Sequence, residues 1–326
     1  MAGKTLIVGA GLAGTLTAWE LIKRGLEFTV YDNGSPSASR VAAGMFNPVS
    51  FKRVVEVDDA EERMKLMLKT YSDIESELGI KVVNKAPIMR IFPNAKYREH
   101  WENRIANGHT VAKWLSPVEN EVPDGVEAPW GVGKVAESGW VNLPLLTSAM
   151  IERLKSEERL EFQSWSIQDG VPEGFDRVID CRGVGAKPEL NSLGLRLAAD
   201  HGEILTLKST LDLEGSTLNK VKWLMPFEKN TFKLGATYEW GVEESKPTEA
   251  GREELIEAIS SALSKDVYDA LVITNHESGL RPTSHDRKPY TGEVAAKVHV
   301  INGLGTRGVL IAPTVVKSAV DELFSV

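Results

Sequence analysis

The sequence has one cysteine, no long apolar run and no excess of positive charge, and each absence excludes a class of protein. Cys181 is the single cysteine among 326 residues, so the chain can form neither an internal disulfide nor a site of several thiolates. The six histidines show no metal-ligand spacing. Such a chain is typical of a reducing compartment, and we expect a cytoplasmic protein without a bound metal.

Membrane and nucleic-acid functions are also disfavoured. No stretch of about 18 uninterrupted apolar residues is present, so we expect no segment inserted in a bilayer. The apolar run from Thr5 to Ile22 is interrupted by glycines and carries Glu20, which argues against a secretion signal. The net charge is −8 and no block of Lys and Arg exceeds three residues, so no nucleic acid is expected as a partner.

The first 32 residues carry the strongest motif that is present. A short apolar strand predicted at Thr5–Val8 is followed at once by Gly9-Ala10-Gly11-Leu12-Ala13-Gly14, and then by a helical pattern that ends at Gly25. A second strand is predicted at Phe28–Tyr31, and Asp32 follows it directly. Strand, glycine turn, helix, strand and acid in this order indicate a dinucleotide-binding motif rather than an isolated glycine-rich turn.

Each residue type in this motif has a physical task. Gly9 permits a tight turn, Gly11 lets a pyrophosphate approach the backbone, and Gly14 allows the helix to pack closely on the strand. The phosphates would meet free N–H groups at the positive end of the helix dipole. Asp32 lies 18 residues beyond Gly14, where a carboxylate can accept hydrogen bonds from the adenosine ribose. An acid there favours FAD or NAD over NADP, without choosing between the first two.

The rest of the chain alternates helical and strand-like segments. Helices are predicted over Asp58–Leu78, after a cap at Asn142, after a cap at Thr248, and from about Ala312 to the end. Runs rich in branched and aromatic residues are dense over residues 200–240, which favours an antiparallel sheet. We therefore expect a nucleotide-binding unit that is split by an inserted, strand-rich substrate domain.

Four further segments, taken with the first, make the sequence more specific. They are Ser39–Pro48, Val178–Gly185, Gly279–Pro282 and Gly303–Gly308. Together they resemble the D-amino-acid oxidase, glycine oxidase and sarcosine oxidase superfamily of flavoproteins, in that family's order along the chain. Each segment alone is common, whereas their order is not, and this resemblance favours FAD over NAD.

The resemblance implies an α/β fold: a Rossmann-like FAD-binding domain of the glutathione-reductase type with an inserted, mainly antiparallel β domain for the substrate. We assign residues 1–80, 140–203 and 278–326 to the discontinuous FAD-binding domain, and residues 81–139 and 204–277 to the substrate-binding domain.

The resemblance also implies which residues contact FAD. They are Gly9, Gly11, Leu12, Ala13 and Gly14; Asp32 and Asn33; Ser39, Arg40, Ala42, Ala43, Gly44 and Met45; Cys181, Arg182, Gly183 and Gly185; Arg281; and Gly303, Leu304, Gly305, Thr306, Arg307 and Gly308. In sarcosine-oxidase-like members a C-terminal cysteine tethers the flavin. Because no cysteine follows Cys181, we expect noncovalent FAD.

The implied reaction is the dehydrogenation or oxidative deamination of a small amino or imino acid of the glycine, sarcosine or D-amino acid type. Hydride would pass from the substrate Cα to flavin N5, and O2 or an unknown acceptor would reoxidise the flavin. Arg281 is expected to bind the substrate carboxylate, because a planar guanidinium binds a carboxylate bidentately. Met45 and Tyr238 are the other candidates for substrate contact.

Several alternatives stay open on the sequence. Arg281 would bind a 2-hydroxy acid equally well, and the oxidase of tRNA wobble-uridine modification is another relative of this type. A non-catalytic flavin-binding redox sensor is a third alternative. The roles of His201, Trp140 and Arg307 are undecided, since each residue type is as often structural as functional.

Overall fold

The computed structural model describes residues 3–325. In this part the α-helices are α1 Leu12–Lys23, α2 Ala60–Leu78, α3 Ala95–Ala106, α4 Leu143–Ser156, α5 Lys187–Ser192, α6 Glu249–Ser260, α7 Lys265–Asp269 and α8 Gly308–Phe324. The strands are β1 Thr5–Val8, β2 Phe28–Tyr31, β3 Met45–Phe46, β4 Val49–Ser50, β5 Val55–Glu56, β6 Val83–Lys85, β7 Ile88–Ile91, β8 Val132–Val135, β9 Gly139–Val141, β10 Leu160–Glu161, β11 Arg177–Asp180, β12 Leu197–Lys208, β13 Thr217–Asn219, β14 Trp223–Glu228, β15 Thr231–Gly235, β16 Glu239–Trp240, β17 Val272–Ser284, β18 Tyr290–Ala295 and β19 Val298–Asn302.

The first sheet is built around the N-terminal strand, in the order β10-β2-β1-β11-β19-β18. All its pairs are parallel except β18 with β19. Every residue of β1 and β2 is buried, as expected for parallel strands whose two faces are both covered. The prediction of strand, helix and strand over the first 32 residues is confirmed.

The second sheet has the order β16-β12-β15-β14-β13-β7-β8, and β17 pairs with β12 outside this path. Its pairs are antiparallel except β13 with β7, so the expected mainly antiparallel region is confirmed. The long strands β12 and β17 run beside each other from Leu197 opposite Ser284 to Lys208 opposite Val272. Each crosses one of the boundaries assigned at 203/204 and 277/278, and the division into two domains stays our proposal.

The C-terminal helix α8 begins at Gly308, four residues before the expected start at Ala312. Pro313 lies inside this helix. Proline has no N–H, so the carbonyl of Val309 loses its helical donor. The hydroxyl of the buried Tyr71 on α2 donates to that carbonyl at 3.0 Å, which ties α2 to α8.

The other predicted helices form with their expected caps. Asn142 accepts the N–H of Leu145 at the start of α4, and Thr248 accepts the N–H of Gly251 at the start of α6. Helix α3 was not predicted, because Trp101 is its one buried residue and such a helix shows no apolar stripe. None of the helices in residues 3–325 is both long enough and apolar enough to cross a bilayer.

Candidate active site

A cavity of about 1140 Å³ lies between the two sheets. The residues at the carboxyl ends of β1, β2, β11 and β19 line one side of it, where ligands bind in open α/β sheets. Gly202 and Ile204 of β12 and Gly279–Pro282 of β17 line the other side. The cavity therefore joins the glycine-rich turn to the second sheet.

The glycine-rich turn closes tightly at one end of this cavity. A Cβ on Gly14 would stand 1.8 Å from the carbonyl oxygen of Gly9, so the contact between helix and turn excludes any side chain. The Asp32 carboxylate accepts the N–H of Ala10 at 2.8 Å and that of Gly34 at 2.8 Å. Asp32 thus holds the turn at the end of β2, in addition to facing the cavity.

Two helix N-termini face the cavity. Leu12 and Ala13 begin α1, and Gly305, Thr306 and Gly308 form the start of α8 with the turn before it. The free N–H groups of a helix N-terminus and its dipole favour an anion or a partial negative charge. The Leu12 N–H is donated to the Ser39 hydroxyl at 2.9 Å, which fixes the loop of Ser39 over α1.

The turn after β11 is held by internal hydrogen bonds and ion pairs. The Arg182 guanidinium bonds to Asp180 at 2.8 Å and Glu189 at 2.9 Å and lies over the ring of Trp165. Asn302 donates to the carbonyl of Gly183 at 2.9 Å. Arg182 lines the cavity, but its guanidinium is already paired with these two carboxylates. Its role at the cavity is therefore to shape the turn after β11.

Arg281 enters the cavity from β17. Its side chain is 19% exposed and its guanidinium lies 4.9 Å from the centroid of the Tyr238 ring. A Cβ on Gly202 would stand 1.9 Å from its Nη2, so the guanidinium lies directly across the β12 backbone. Its Nη1 is 3.8 Å from Asp200 Oδ2 and has no hydrogen-bond partner among residues 3–325.

The side chains beside Arg281 have shifted pKa values. Burial raises the pKa of the Asp200 carboxyl, although Tyr238, Arg281 and His201 act in the opposite direction. Burial and then the Asp200 carboxylate raise the pKa of Tyr238 to about 12, so its hydroxyl stays protonated at neutral pH. This end of the cavity therefore presents one fixed cation and a neutral phenol, and the acid Asp200 is buried beside them, outside the lining.

The sequence model of a family described as FAD dependent oxidoreductase matches residues 4–321. The chain belongs to this family. The resemblance to the D-amino-acid oxidase and glycine oxidase superfamily of flavoproteins is confirmed.

Curated relatives and solved structures agree with this assignment. The chain is 25% identical to glycine oxidase from Pseudomonas aeruginosa, over 90% of the chain and 86% of the relative. It is 28% identical to a tRNA 5-methylaminomethyl-2-thiouridine biosynthesis bifunctional protein from Idiomarina loihiensis, over 62% of the chain and 36% of that protein. The chain spans 36% to 45% of the length of such bifunctional relatives.

The fold is that of solved flavoprotein oxidases. Iminodiacetate oxidase from Chelativorans superposes with a TM-score of 0.81 at 19% identity, covering 98% of this chain and 95% of that one. The α/β fold class expected from the sequence is thereby confirmed.

The cavity fits FAD in its shape and its donors. It combines the tight turn at Gly14, the Asp32 carboxylate and the N-termini of α1 and α8 in one continuous space. Most residues expected to contact FAD line it: Gly9, Gly11, Leu12, Ala13, Asp32, Asn33, Ser39, Arg40, Ala42, Ala43, Gly44, Met45, Cys181, Arg182, Gly183, Gly185, Arg281, Leu304, Gly305, Thr306 and Gly308.

Three of the expected residues lie outside the lining. Gly14 packs against Gly9, and Gly303 packs against Ser284 with its N–H donated to Asn302. Arg307 faces Asp58 and Arg63, and burial lowers the pKa of its guanidinium. These three residues belong to the walls behind the cavity, and their contact with FAD stays a prediction.

The candidate substrate residues line the cavity, whereas the residues whose roles were undecided do not. Met45 and Tyr238 line the cavity with Arg281. Trp140 packs beneath Ala43 and Met45 and against Phe227, with its ring centroid 5.2 Å from that ring. His201 is 1% exposed and faces Glu203, with 3.9 Å between Nδ1 and Oε1, and neither residue is part of the lining.

Sequence reasoning missed Asp200 and Gly202 at the substrate end. Both lie in the segment around His201. The one sequence signal there is that this segment differs from the pattern of the resembling flavoproteins. The register that sets Asp200 opposite Arg281 comes from the pairing of β12 with β17, which are about 80 residues apart in the chain. Trp223 and Ala236 of the cavity wall were missed for the same reason.

Proposed function

We propose that the chain oxidises a small amino or imino acid of the glycine, sarcosine or D-amino acid type, with Arg281 binding the substrate carboxylate. The observation that carries this is the Arg281 guanidinium, which lies in the cavity wall with Nη1 unpaired among the described residues. A buried cation with free donors is a strong site for a bidentate carboxylate.

The surrounding residues orient that cation. Tyr238 covers one face of the guanidinium, and Gly202 lets it lie flat on β12. With the carboxylate fixed at two oxygens, rotation of the substrate is restricted and its Cα is held in one place. Met45 and Trp223 line the same cavity. When bound, FAD supplies the two-electron oxidation of the substrate.

The residues that would hold FAD are those expected from the sequence, from Gly9 at the phosphate end to Gly308 at the start of α8. We propose that the cofactor is noncovalent. Burial raises the pKa of the Cys181 thiol to about 12, so the thiolate needed for attachment is scarce. Its Sγ lies 3.7 Å from the Thr17 hydroxyl, in the packing beneath the glycine-rich turn.

The experiment is anaerobic bleaching of the FAD-loaded protein by matched substrates. The panel is glycine, sarcosine, D-alanine and L-proline, each compared with its amide, and a set of 2-hydroxy acids. We expect bleaching by one or more of the acids and at least about 100-fold slower bleaching by the amides, because an amide cannot pair with Arg281. Bleaching by hydroxy acids alone would overturn the choice of substrate.

The Arg281→Ala variant tests the role of that residue. We expect kcat/KM to fall about 100-fold or more with flavin content unchanged, and Arg281→Lys to restore a minor part of the loss. Equal turnover in wild type and Arg281→Ala would contradict carboxylate binding. A protein that holds FAD and is bleached by no member of the panel would favour a redox sensor.

A second candidate is oxidation of a modified tRNA nucleotide, which the bifunctional tRNA-modifying relatives favour. An open aromatic pair, Tyr238 and Trp240 at 6.0 Å between centroids, stands beside the cavity and offers a stacking surface. The net charge of −8 counts against this candidate. Bleaching by bulk tRNA from a strain lacking such a protein, and by no free amino acid, would establish it.

A further inference from the structure

We propose that Asp200 is a positioning residue that takes up one proton when a carboxylate binds to Arg281. This inference rests on the proposed function, because it assumes that Arg281 is the carboxylate site.

The geometry brings Asp200 to Arg281 without pairing them. The two residues are directly opposite in the β12–β17 ladder, and the carboxyl of Asp200 is fully buried. Oδ2 stands 3.8 Å from Arg281 Nη1, and the Tyr238 hydroxyl approaches the carboxyl, but neither Oδ1 nor Oδ2 accepts a well-formed hydrogen bond from the residues described. A buried acid at this distance attracts the guanidinium but does not occupy its N–H groups.

The guanidinium is kept at this distance by its other neighbours. Gly202 gives it room to lie across β12, and the Tyr238 ring covers it at 4.9 Å. The charged and titratable groups that face Asp200 are Arg281 of β17, Tyr238 before β16 and its own neighbour His201. Arg281 is thus the nearest permanent countercharge of this buried acid.

A bound carboxylate changes the balance of charge. Before binding, one guanidinium faces one acid, whereas afterwards two carboxylates share the same guanidinium in a poorly solvated site. Two carboxylates in such a site do not both remain ionised, so the buried acid, which only the Tyr238 hydroxyl approaches as a donor, takes the proton. Burial already raises the pKa of Asp200, which puts the proton on this residue.

The sign of the pH dependence follows. Below the pKa of Asp200 the acid is protonated before the ligand arrives, and binding takes up no proton. Between that pKa and the higher pKa of Asp200 in the complex, each bound carboxylate takes up as much as one proton, so affinity falls as pH rises, by up to about tenfold per unit. Arg281 then offers its full charge to the ligand, and Asp200 acts only through Arg281.

The test is calorimetric titration of the FAD-loaded protein with acetate, a carboxylate without an oxidisable amine. Titrations in phosphate and in Tris, which differ in ionisation enthalpy, report proton uptake directly. We expect the uptake by the wild type to rise from none toward one proton per acetate as pH passes the free pKa of Asp200, and to decline again above the pKa in the complex. The Asp200→Asn variant should take up none, bind acetate with a pH-independent Kd, and bind it about tenfold more tightly than the wild type at the pH of largest uptake.

The control variant is His201→Gln, which removes the neighbouring titratable group and should keep the proton uptake. If wild type takes up no proton while Arg281→Ala abolishes acetate binding, this inference is wrong and the proposed function stands. If acetate binds equally to wild type and Arg281→Ala, the proposed function itself fails. The wild-type measurement decides the matter even where Asp200→Asn does not fold.

Discussion

The two ends of the cavity are built in different ways. The phosphate end is made of consecutive residues, Gly9–Gly14, and is shaped by backbone contacts within one strand, turn and helix. The substrate end is formed by Met45 of β3, Tyr238 of the loop before β16 and Arg281 of β17, with Asp200 of β12 buried beside Arg281, and only the folded chain brings them together. One end is therefore a local structure, and the other exists only in the finished fold.

This difference predicts which substitutions each end of the cavity tolerates. A backbone-built end has no side chain to adjust, so an added methyl group must move the chain itself. At an end made of side chains, a side chain can rotate to make room. Such a change disturbs the orientation of the substrate but leaves the fold intact. Loss at the phosphate end should therefore remove the cofactor, and loss at the substrate end should remove turnover alone.

The largest effect is expected from one methyl group placed at each end. In Gly14→Ala the new Cβ meets the Gly9 carbonyl at 1.8 Å, and in Gly202→Ala it meets the Arg281 guanidinium at 1.9 Å. We expect Gly14→Ala to bind FAD at least about 100-fold more weakly, or to be colourless. Gly202→Ala should keep its FAD and raise the KM of the acid substrate about 10- to 100-fold.

Flavin titration and steady-state kinetics measure this pair. Thr15→Ala is the control, since Thr15 follows Gly14 in α1, lies outside the cavity lining, and its hydroxyl has no hydrogen-bond partner among the described residues. The contrast between the two ends fails if Gly202→Ala loses FAD or if Gly14→Ala binds it normally.

A smaller effect is expected at Asp32, the side chain that fixes the backbone-built end. Asp32→Ala removes the acceptors of the Ala10 and Gly34 N–H groups, each at 2.8 Å. We expect about tenfold weaker FAD binding, from loss of about one net hydrogen bond to the ligand and a looser turn. Asp212→Ala is the control, because its Oδ1 likewise accepts a backbone N–H two residues on, that of Glu214, and Asp212 lies outside the cavity lining. Similar FAD affinities for both variants would show that Asp32 does not organise this end.

The smallest effect is expected away from both ends. Tyr71→Phe leaves the buried Val309 carbonyl without the donor that replaces the missing N–H of Pro313. We expect a loss of about 1–2 kcal/mol in the free energy of unfolding with unchanged kcat, measured by urea unfolding. In a Pro313→Ala background the helix supplies its own donor, so the same change should cost about 0.5 kcal/mol or less. Equal losses in both backgrounds would refute the link between Tyr71 and Pro313.

The same difference between local and long-range contacts separates the residues that could be predicted from the sequence from those that could not. The glycine turn, the helix cap at Asn142 and the Gly79 end of α2 depend on neighbours within a few residues, and each forms as expected. Arg281 was singled out because its tetrapeptide resembles a known flavoprotein segment. Its partners Asp200, Gly202 and Tyr238 were missed or only guessed, since nothing in their own neighbourhood requires them.

Helix boundaries follow the same principle. The start of α8 was placed four residues late. Its interior Pro313 leaves the Val309 carbonyl without a helical donor, and only the fold brings the Tyr71 hydroxyl to that carbonyl. Helix α3 was overlooked because it buries one side chain and is stabilised by its Asn94 cap and its packing on Phe92.

By itself, the amino-acid sequence determined the dinucleotide-binding motif, the α/β architecture and the family, because these follow from short-range spacing and from the order of segments. The tertiary structure alone decided what stands around Arg281, because strand register sets which residues face each other across a sheet. A register is a property of two distant segments at once, and neither segment carries it alone.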